Sequence, residues 1–294
     1  MPSSNPDIAV FEAVAQQDAS LRWYAIADSA QHRALPSAVV QSGHQVRCLF
    51  GASQGSPLAQ HSPHLVELCS PLQGSSAWNW ISLSAKSKPC LTVIATGICF
   101  DALFTQLAEC AEVVLPDGDA MFLGFWDPAI LGTLVGQAED STLHVKGPVL
   151  TSEQRPMLTR GLAAWWYWDR AGGLHSIAVD QVGNEWRTGP IQLAQWQVDD
   201  LVEASVPDHV LYYLELNQPL LIADVPAAHR YEAVHLALVR ARGLGLRAMG
   251  DLVNFACLEL IYKERMREDS FILNLLDRVK QGRLKFRDAL DQLP

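Results

Sequence analysis

The sequence predicts an α/β (α+β) N-terminal lobe with a mixed sheet and hairpins, followed by an all-helical C-terminal lobe. Three observations carry this. Val113–Leu131, VVLPDGDAMFLGFWDPAIL, reads as strand, turn, strand and helix start. Strand-like and helix-like patterns alternate on either side of it up to about Leu150. From Leu193 onward the periodicity is helical only, punctuated by Gly243, Gly245 and Gly282. The expected organisation is an α/β lobe over 1–150, a β-hairpin connection over 151–192 and a helical lobe over 193–294.

The central stretch is explained residue by residue. Val113, Val114 and Leu115 suit a strand. Pro116-Asp117-Gly118-Asp119 is turn chemistry, since Pro presets φ and Gly118 accepts a positive φ. Met121–Trp126 is a second apolar run, so the pair makes a hairpin. Asp127 then suits an N-cap, with Pro128 at the first helical position and Ile130, Leu131 and Leu134 behind it. Turn and cap account for the carboxylates of Asp117 and Asp127.

Before it, Pro6–Ala19 has helical spacing (Ile8, Phe11, Val14, Ala15), and Leu21–Ala27 reads as a buried strand ending at Asp28. Ser29–Gln41 suits a helix, Val46–Phe50 a strand, and Gly51–Pro63 a polar loop ahead of the apolar His64–Leu68. Gln73–Ser76 is a turn, Trp78–Leu83 fits a strand or a helix end, Leu91–Ala95 is a strand, and Cys99–Ala111 is a helix with one apolar stripe. After Lys146-Gly147-Pro148, the segments 160–168 and 174–179 flank Asp169–Gly173 as a second hairpin. Helical segments are expected near 195–204, 207–216, 226–242, 248–266, 268–281 and 283–292.

Composition limits the function. Of 294 residues 49% are hydrophobic, enough for a sizeable core. The net charge of -10 argues against nucleic acid or an anionic membrane as partner. The charge is uneven: 11 Lys+Arg face 24 Asp+Glu before Arg240, and 11 face 8 from Arg240 onward. That basic tail suits an intramolecular contact, an acidic partner or a solvated helix face. The six cysteines show neither CxxC nor zinc-ligand spacing and fit a reducing cytoplasm. The N-terminus lacks a signal-peptide pattern, and no charge-free apolar run is long enough to span a bilayer.

Catalytic signals are sparse. Gly51-Ala52-Ser53-Gln54-Gly55 matches G-x-S-x-G after a strand, the nucleophile-elbow pattern of α/β-hydrolases. The elbow needs a helix directly after Ser53, and Gly55-Ser56-Pro57 delays one. His61 and His64 are three apart, but Pro63 opposes a regular helix and no third metal ligand is evident. Neither Gly172-Gly173 nor the Gly243/Gly245 pair has phosphate-loop spacing. No catalytic, cofactor or metal residues are assigned. Trp165-Trp166-Tyr167-Trp168 is the remaining notable feature. In a strand, Trp165 and Tyr167 point one way and Trp166 and Trp168 the other. Both faces buried between the lobes is one reading; one pair lining a partner-binding cleft is the other.

In order and spacing the pieces resemble the adaptor chaperones of type VI secretion, also called Tap or Tec proteins. The resemblance rests on Trp23–Ala30 with Asp28 in its turn, Leu49-Phe50-Gly51, Ser62–Val66, Val114–Gly118, Phe125–Leu131, Lys146–Val149 and Gly243–Phe255. It covers nearly the whole chain. Gly124 departs from the pattern, where the family usually carries Arg. The resemblance implies a cytoplasmic, non-enzymatic protein of Gram-negative bacteria without cofactors. Its partners would be a toxic effector protein and a VgrG or PAAR-type spike protein. Two alternatives stand beside it: a hydrolase-like enzyme using Ser53, and a toxin-neutralising immunity protein.

Overall fold

A strand that carries four consecutive large aromatics needs cover on both faces, and the fold supplies it. The computed structural model describes residues 5–32, 34, 35, 38, 45–73, 75–179 and 189–293. In chain order the strands are β1 (Arg22–Asp28), β2 (Val46–Cys48), β3 (Pro63–Leu68), β4 (Leu91–Thr96), β5 (Glu112–Val114), β6 (Ala120–Phe122), β7 (Leu162–Trp168), β8 (Leu174–Ile177) and β9 (Ile191–Gln192). Six of them form an antiparallel sheet in the order β2-β3-β1-β4-β7-β8. A smaller sheet, β6-β5-β9, is mixed: β5 pairs antiparallel with β6 and parallel with β9.

Contacts divide the chain into two units, 1–201 and 202–294. The first is a three-layer arrangement. On one face of the large sheet lie α1 (Pro6–Gln17) and α2 (Ser75–Ser87), closing a core of Phe11, Trp23, Trp78, Val93, Trp166 and Trp168. On the other lie α3 (Phe100–Cys110), α4 (Pro128–Val135) and α5 (Arg155–Thr159), over Tyr24, Ile94, Leu103, Leu131, Trp165 and Tyr167. Strand alternation along β7 therefore feeds two separate cores. The four aromatics are at most 3% exposed. Each such side chain buries roughly 150–250 Å².

Their polar tips are matched. Trp165 Nε1 donates to Thr92 Oγ1 at 2.9 Å, and the Tyr167 hydroxyl to Asp140 Oδ2 at 2.8 Å. Trp168 Nε1 donates to Asp7 Oδ2 at 2.8 Å. Asp7 also accepts from Ser82 Oγ (3.0 Å) and pairs with Lys86 Nζ (2.9 Å), so one carboxylate ties α1 to α2 and β7. Burial alone would raise the Asp7 pKa; the hydrogen bonds from Lys86, Trp168 and Ser82 outweigh it and hold it below the usual carboxylate value.

The second unit is helical. It holds α6 (Gln195–Asn217) from Val202, then α7 (Pro219–Ile222), α8 (Ala227–Gly243), α9 (Met249–Tyr262), α10 (Arg265–Glu268), α11 (Ser270–Lys280) and α12 (Phe286–Leu290). Val210, Leu214, Leu238, Phe255, Met266 and Leu275 form its core. Ion pairs join α6 to α8 (Arg242 with Glu203; Arg230 with Glu215, 3.0 Å) and α8 to α9 (Arg240 with Glu259).

The expected lobe classes are observed, with local differences. Trp78–Leu83 lies inside α2, because Trp78, Ile81 and Ala85 repeat at helical spacing and are buried. Segments 195–204 and 207–216 are one helix running through Pro207. Val206, Val210 and Leu214 form a continuous buried stripe that offsets the hydrogen bond lost at proline. The expected helix at Ser29–Gln41 and the turn at Gln73–Ser76 fall partly outside the described residues. The second hairpin, β7–β8, joins the large sheet through β4.

Gly132 in α4 permits the Tyr167–Asp140 contact. A Cβ there would stand 2.5 Å from the Tyr167 hydroxyl and 3.1 Å from Leu143 Cδ1. Gly132→Ala is expected to lower stability by about 1–3 kcal/mol, through overpacking against a fully buried ring. Urea unfolding measures it; a loss below about 0.5 kcal/mol would mean that α4 yields freely.

Candidate functional site

The hairpin and its helix form as the sequence dictates. Leu115 N donates to Asp119 O (2.8 Å) and Gly118 N to Leu115 O (3.0 Å). Gly118 has φ +93°, a region open to glycine, and Asp117 Oδ1 accepts from Asp119 N at 3.1 Å. Asp127 caps α4, its Oδ1 accepting from Ala129 N (2.8 Å) and Ile130 N (3.3 Å), and Pro128 opens the helix.

This scaffold presents aromatics outward. In β6 the side chains alternate: Met121 packs against the core, and Phe122 points out and is 58% exposed. Phe50 follows β2, in a turn fixed by Leu49 N to Pro63 O (2.9 Å) and Gly51 N to Cys48 O (3.0 Å). Its ring centroid lies 4.6 Å from Phe122 and 5.1 Å from Trp126. Phe50 and Trp126 are half-buried. In β2, three residues before Phe50, Arg47 lies over Phe104 (4.5 Å to the centroid) and Phe100 (5.3 Å), and pairs with Asp101 at 2.7 Å. Phe50, Phe122 and Trp126 form an aromatic cluster at the surface, a composition suited to burying apolar side chains.

Asp28, at the end of β1, is buried and near the charge of Asp127. Its Oδ1 accepts from Ala30 N at 3.0 Å. Burial pushes its pKa up to about 6; the Asp127 charge adds to this, and the Ala30 N–H opposes it. Next to it Ser29 Oγ meets His64 Nδ1 at 3.2 Å, and burial holds the His64 pKa below its usual value.

The other expected residues fall elsewhere. Trp165, Trp166, Tyr167 and Trp168, expected as partner contacts, are core residues of the first unit. Their strand has helices over both faces, so the aromatic surface is corrected to Phe50, Phe122 and Trp126. Sequence reading passed over Phe122 because it lay inside an apolar run read as one strand; with β6 only three residues long, period-two alternation turns it outward. Ser53 sits on an exposed turn, its carbonyl accepting from Ser56 N at 3.0 Å. The next helical segment is a single turn at Ala59–His61. No helix N-terminus therefore backs the Ser53 hydroxyl as a nucleophile elbow requires. His61 is exposed, whereas His64 is buried in β3. All six cysteines are free, and burial pushes the thiols of Cys90 and Cys110 up to about 12.

Among the described residues, Asp140, Asp169 and His175 bring possible metal-ligand atoms within 4.8 Å. Their atoms are engaged within the chain. Asp140 accepts from Tyr167, Thr142 N (2.8 Å) and Thr142 Oγ1 (2.7 Å). Asp169 Oδ2 meets His175 Nε2 at 2.8 Å, and its Oδ1 closes the β7–β8 turn through Ala171 N and Gly173 N. The geometry is that of a hairpin-bracing hydrogen-bond network.

Against this geometry the comparisons gave one match. Residues 23–144 match the model of a family described as a domain of unknown function, DUF4123. No curated protein and no solved structure matches. The DUF4123 segment holds β1 to β6 and α2 to α4, and with them Asp28, Phe50, Phe122, Trp126 and Asp127. No described helix is long and apolar enough to cross a membrane.

Two consequences are measurable. Asp127→Ala is expected to cost about 1 kcal/mol in chemical denaturation, from loss of the cap. Because the folded Asp28 pKa is raised, its stabilising contribution is complete below its ordinary value of 3.8 and is lost as pH rises through about 6. Asp28→Asn keeps the acceptor for Ala30 N and removes the charge. Its stability relative to the parent should therefore rise by about 2–3 kcal/mol between acidic and mildly alkaline pH. A pH-independent difference would contradict the assignment.

Proposed function

We propose that the chain is a non-catalytic adaptor of type VI secretion. In this reading it binds a toxic effector protein in the cytoplasm and delivers it to a VgrG or PAAR-type spike. The observation that carries the reading is the Phe50–Phe122–Trp126 surface. It lies inside the segment that matches DUF4123, Phe50 and Trp126 stand on stretches that resemble the adaptor family, and the exposed Phe122 ring is open to a partner's apolar side chains. The rigid hairpin and the capped α4 hold these rings in place before binding, which lowers the entropy cost of association. The exposed turn at Ser53 favours binding over hydrolysis.

The test is co-expression with the effector encoded beside this chain, followed by pull-down. Phe122→Ala with Trp126→Ala is expected to weaken capture by about tenfold or more, as for loss of an interface hot spot, with the fold intact by circular dichroism. Undiminished capture would remove the surface from the interface. Labelling of the chain by a fluorophosphonate, abolished by Ser53→Ala, would replace the adaptor reading with an enzymatic one.

A further inference from the structure

Ten of the twelve Lys and Arg side chains of the second unit fall into two groups, Arg247 and Lys263 standing apart. Arg230, Arg240, Arg242, Arg265 and Arg267 all pair with carboxylates of their own unit. Arg278, Lys280, Arg283, Lys285 and Arg287 follow within ten residues, and among the described residues none of them makes an ion pair. Four of these five side chains are exposed, Arg278 being half-buried. The neighbouring Asp277 is turned to Gln281 Nε2, at 2.6 Å, rather than to a cation.

Local structure explains part of this group. Arg278 and Lys280 sit in the last turn of α11, where the helix end is negative. Gly282, at φ +68°, then ends the helix, and Arg283 N and Leu284 N close on Arg278 O at 2.9 and 3.2 Å. The remaining cations gain nothing from that dipole. Lys285 stands at the N-cap of α12, where the helix end is itself positive. Arg283 and Arg287 lie two residues to either side of it, and among the described residues the nearby Asp288 and Asp291 make no ion pair with any of the three. Such an arrangement opposes folding slightly and is relieved by an anion from outside.

We propose that the α11–α12 turn docks an acidic polypeptide segment of a partner protein. Charge complementarity supplies the attraction. Leu273, exposed on α11 and seven residues before Lys280, lies on the same flank of that helix as the lysine. A segment with apolar residues among its acids therefore fits better than a bare polyanion. The chain's net charge of -10 repels nucleic acid and anionic membranes at long range, and a short segment feels mainly the local patch.

The test uses the full chain and a fluorescent peptide of alternating glutamate and leucine, read by anisotropy. Binding is expected, weakened by added salt. Arg283→Glu, Lys285→Glu and Arg287→Glu together should weaken it by about tenfold or more, and the corresponding triple glutamine variant should weaken it less. Lys263→Glu, at another exposed cation of the same unit, should leave it nearly unchanged. Equal affinity of the triple glutamate variant, absence of peptide binding, or tighter binding of duplex DNA or anionic vesicles than of the peptide would each overturn the proposal.

Discussion

The architecture of the first unit depends on having two dry faces for one strand. Trp165 and Tyr167 require a core on one side of β7, and Trp166 and Trp168 require another on the opposite side. An antiparallel sheet usually leaves one face to water. Here that option is closed, because an indole ring cannot be left in solvent at every second position without a large loss of burial energy. Helices on both faces follow. So do the polar anchors, since each buried N–H or O–H needs an acceptor. Thr92, Asp140 and Asp7 provide these from three different elements, and Asp7 in turn fixes α1 against α2.

This also separates two kinds of aromatic residue. Those of β7 are held by hydrogen bonds and close ring contacts: Trp23 and Trp166 stack with centroids 5.9 Å apart, and Phe11 touches Trp23, Trp78, Trp166 and Trp168. Phe50 contacts Phe122 and Trp126 at the surface. Bulk and aromaticity are the same in both sets; helices cover both faces of β7, whereas Phe50 and Trp126 lie in turns and Phe122 ends a three-residue strand.

Much of the local structure was legible in the sequence, because it is set by short-range chemistry. The Asp117–Gly118 turn, the Asp127–Pro128 helix start and the hairpin around Asp169–Gly173 need only residues a few positions apart. Strands β1 and β4 announce themselves by apolar content. What was not legible depends on distant partners. The Trp165–Trp168 pattern shows two opposed faces but not what covers them, and the polar partners of Trp165 and Trp168, Thr92 and Asp7, lie 73 and 161 residues away. The outward turn of Phe122 was hidden for a different reason: the strand is too short for alternation to stand out from an apolar run. Pro207 looked like a break, and only the buried stripe on both sides of it shows why the helix continues.

The DUF4123 segment ends at residue 144, yet β7 begins at Leu162 and pairs with β4, and α1 precedes the segment altogether. The stretch that matches the family model is thus shorter than the stretch that can close its own cores. Cut at its similarity boundaries, it would leave β4 as a bare edge with its hydrogen-bonding groups unpaired, and would expose the face of Trp23 and Trp78 that Phe11 and Trp166 cover. Similarity is read over one length of chain, and independence in water is achieved over another.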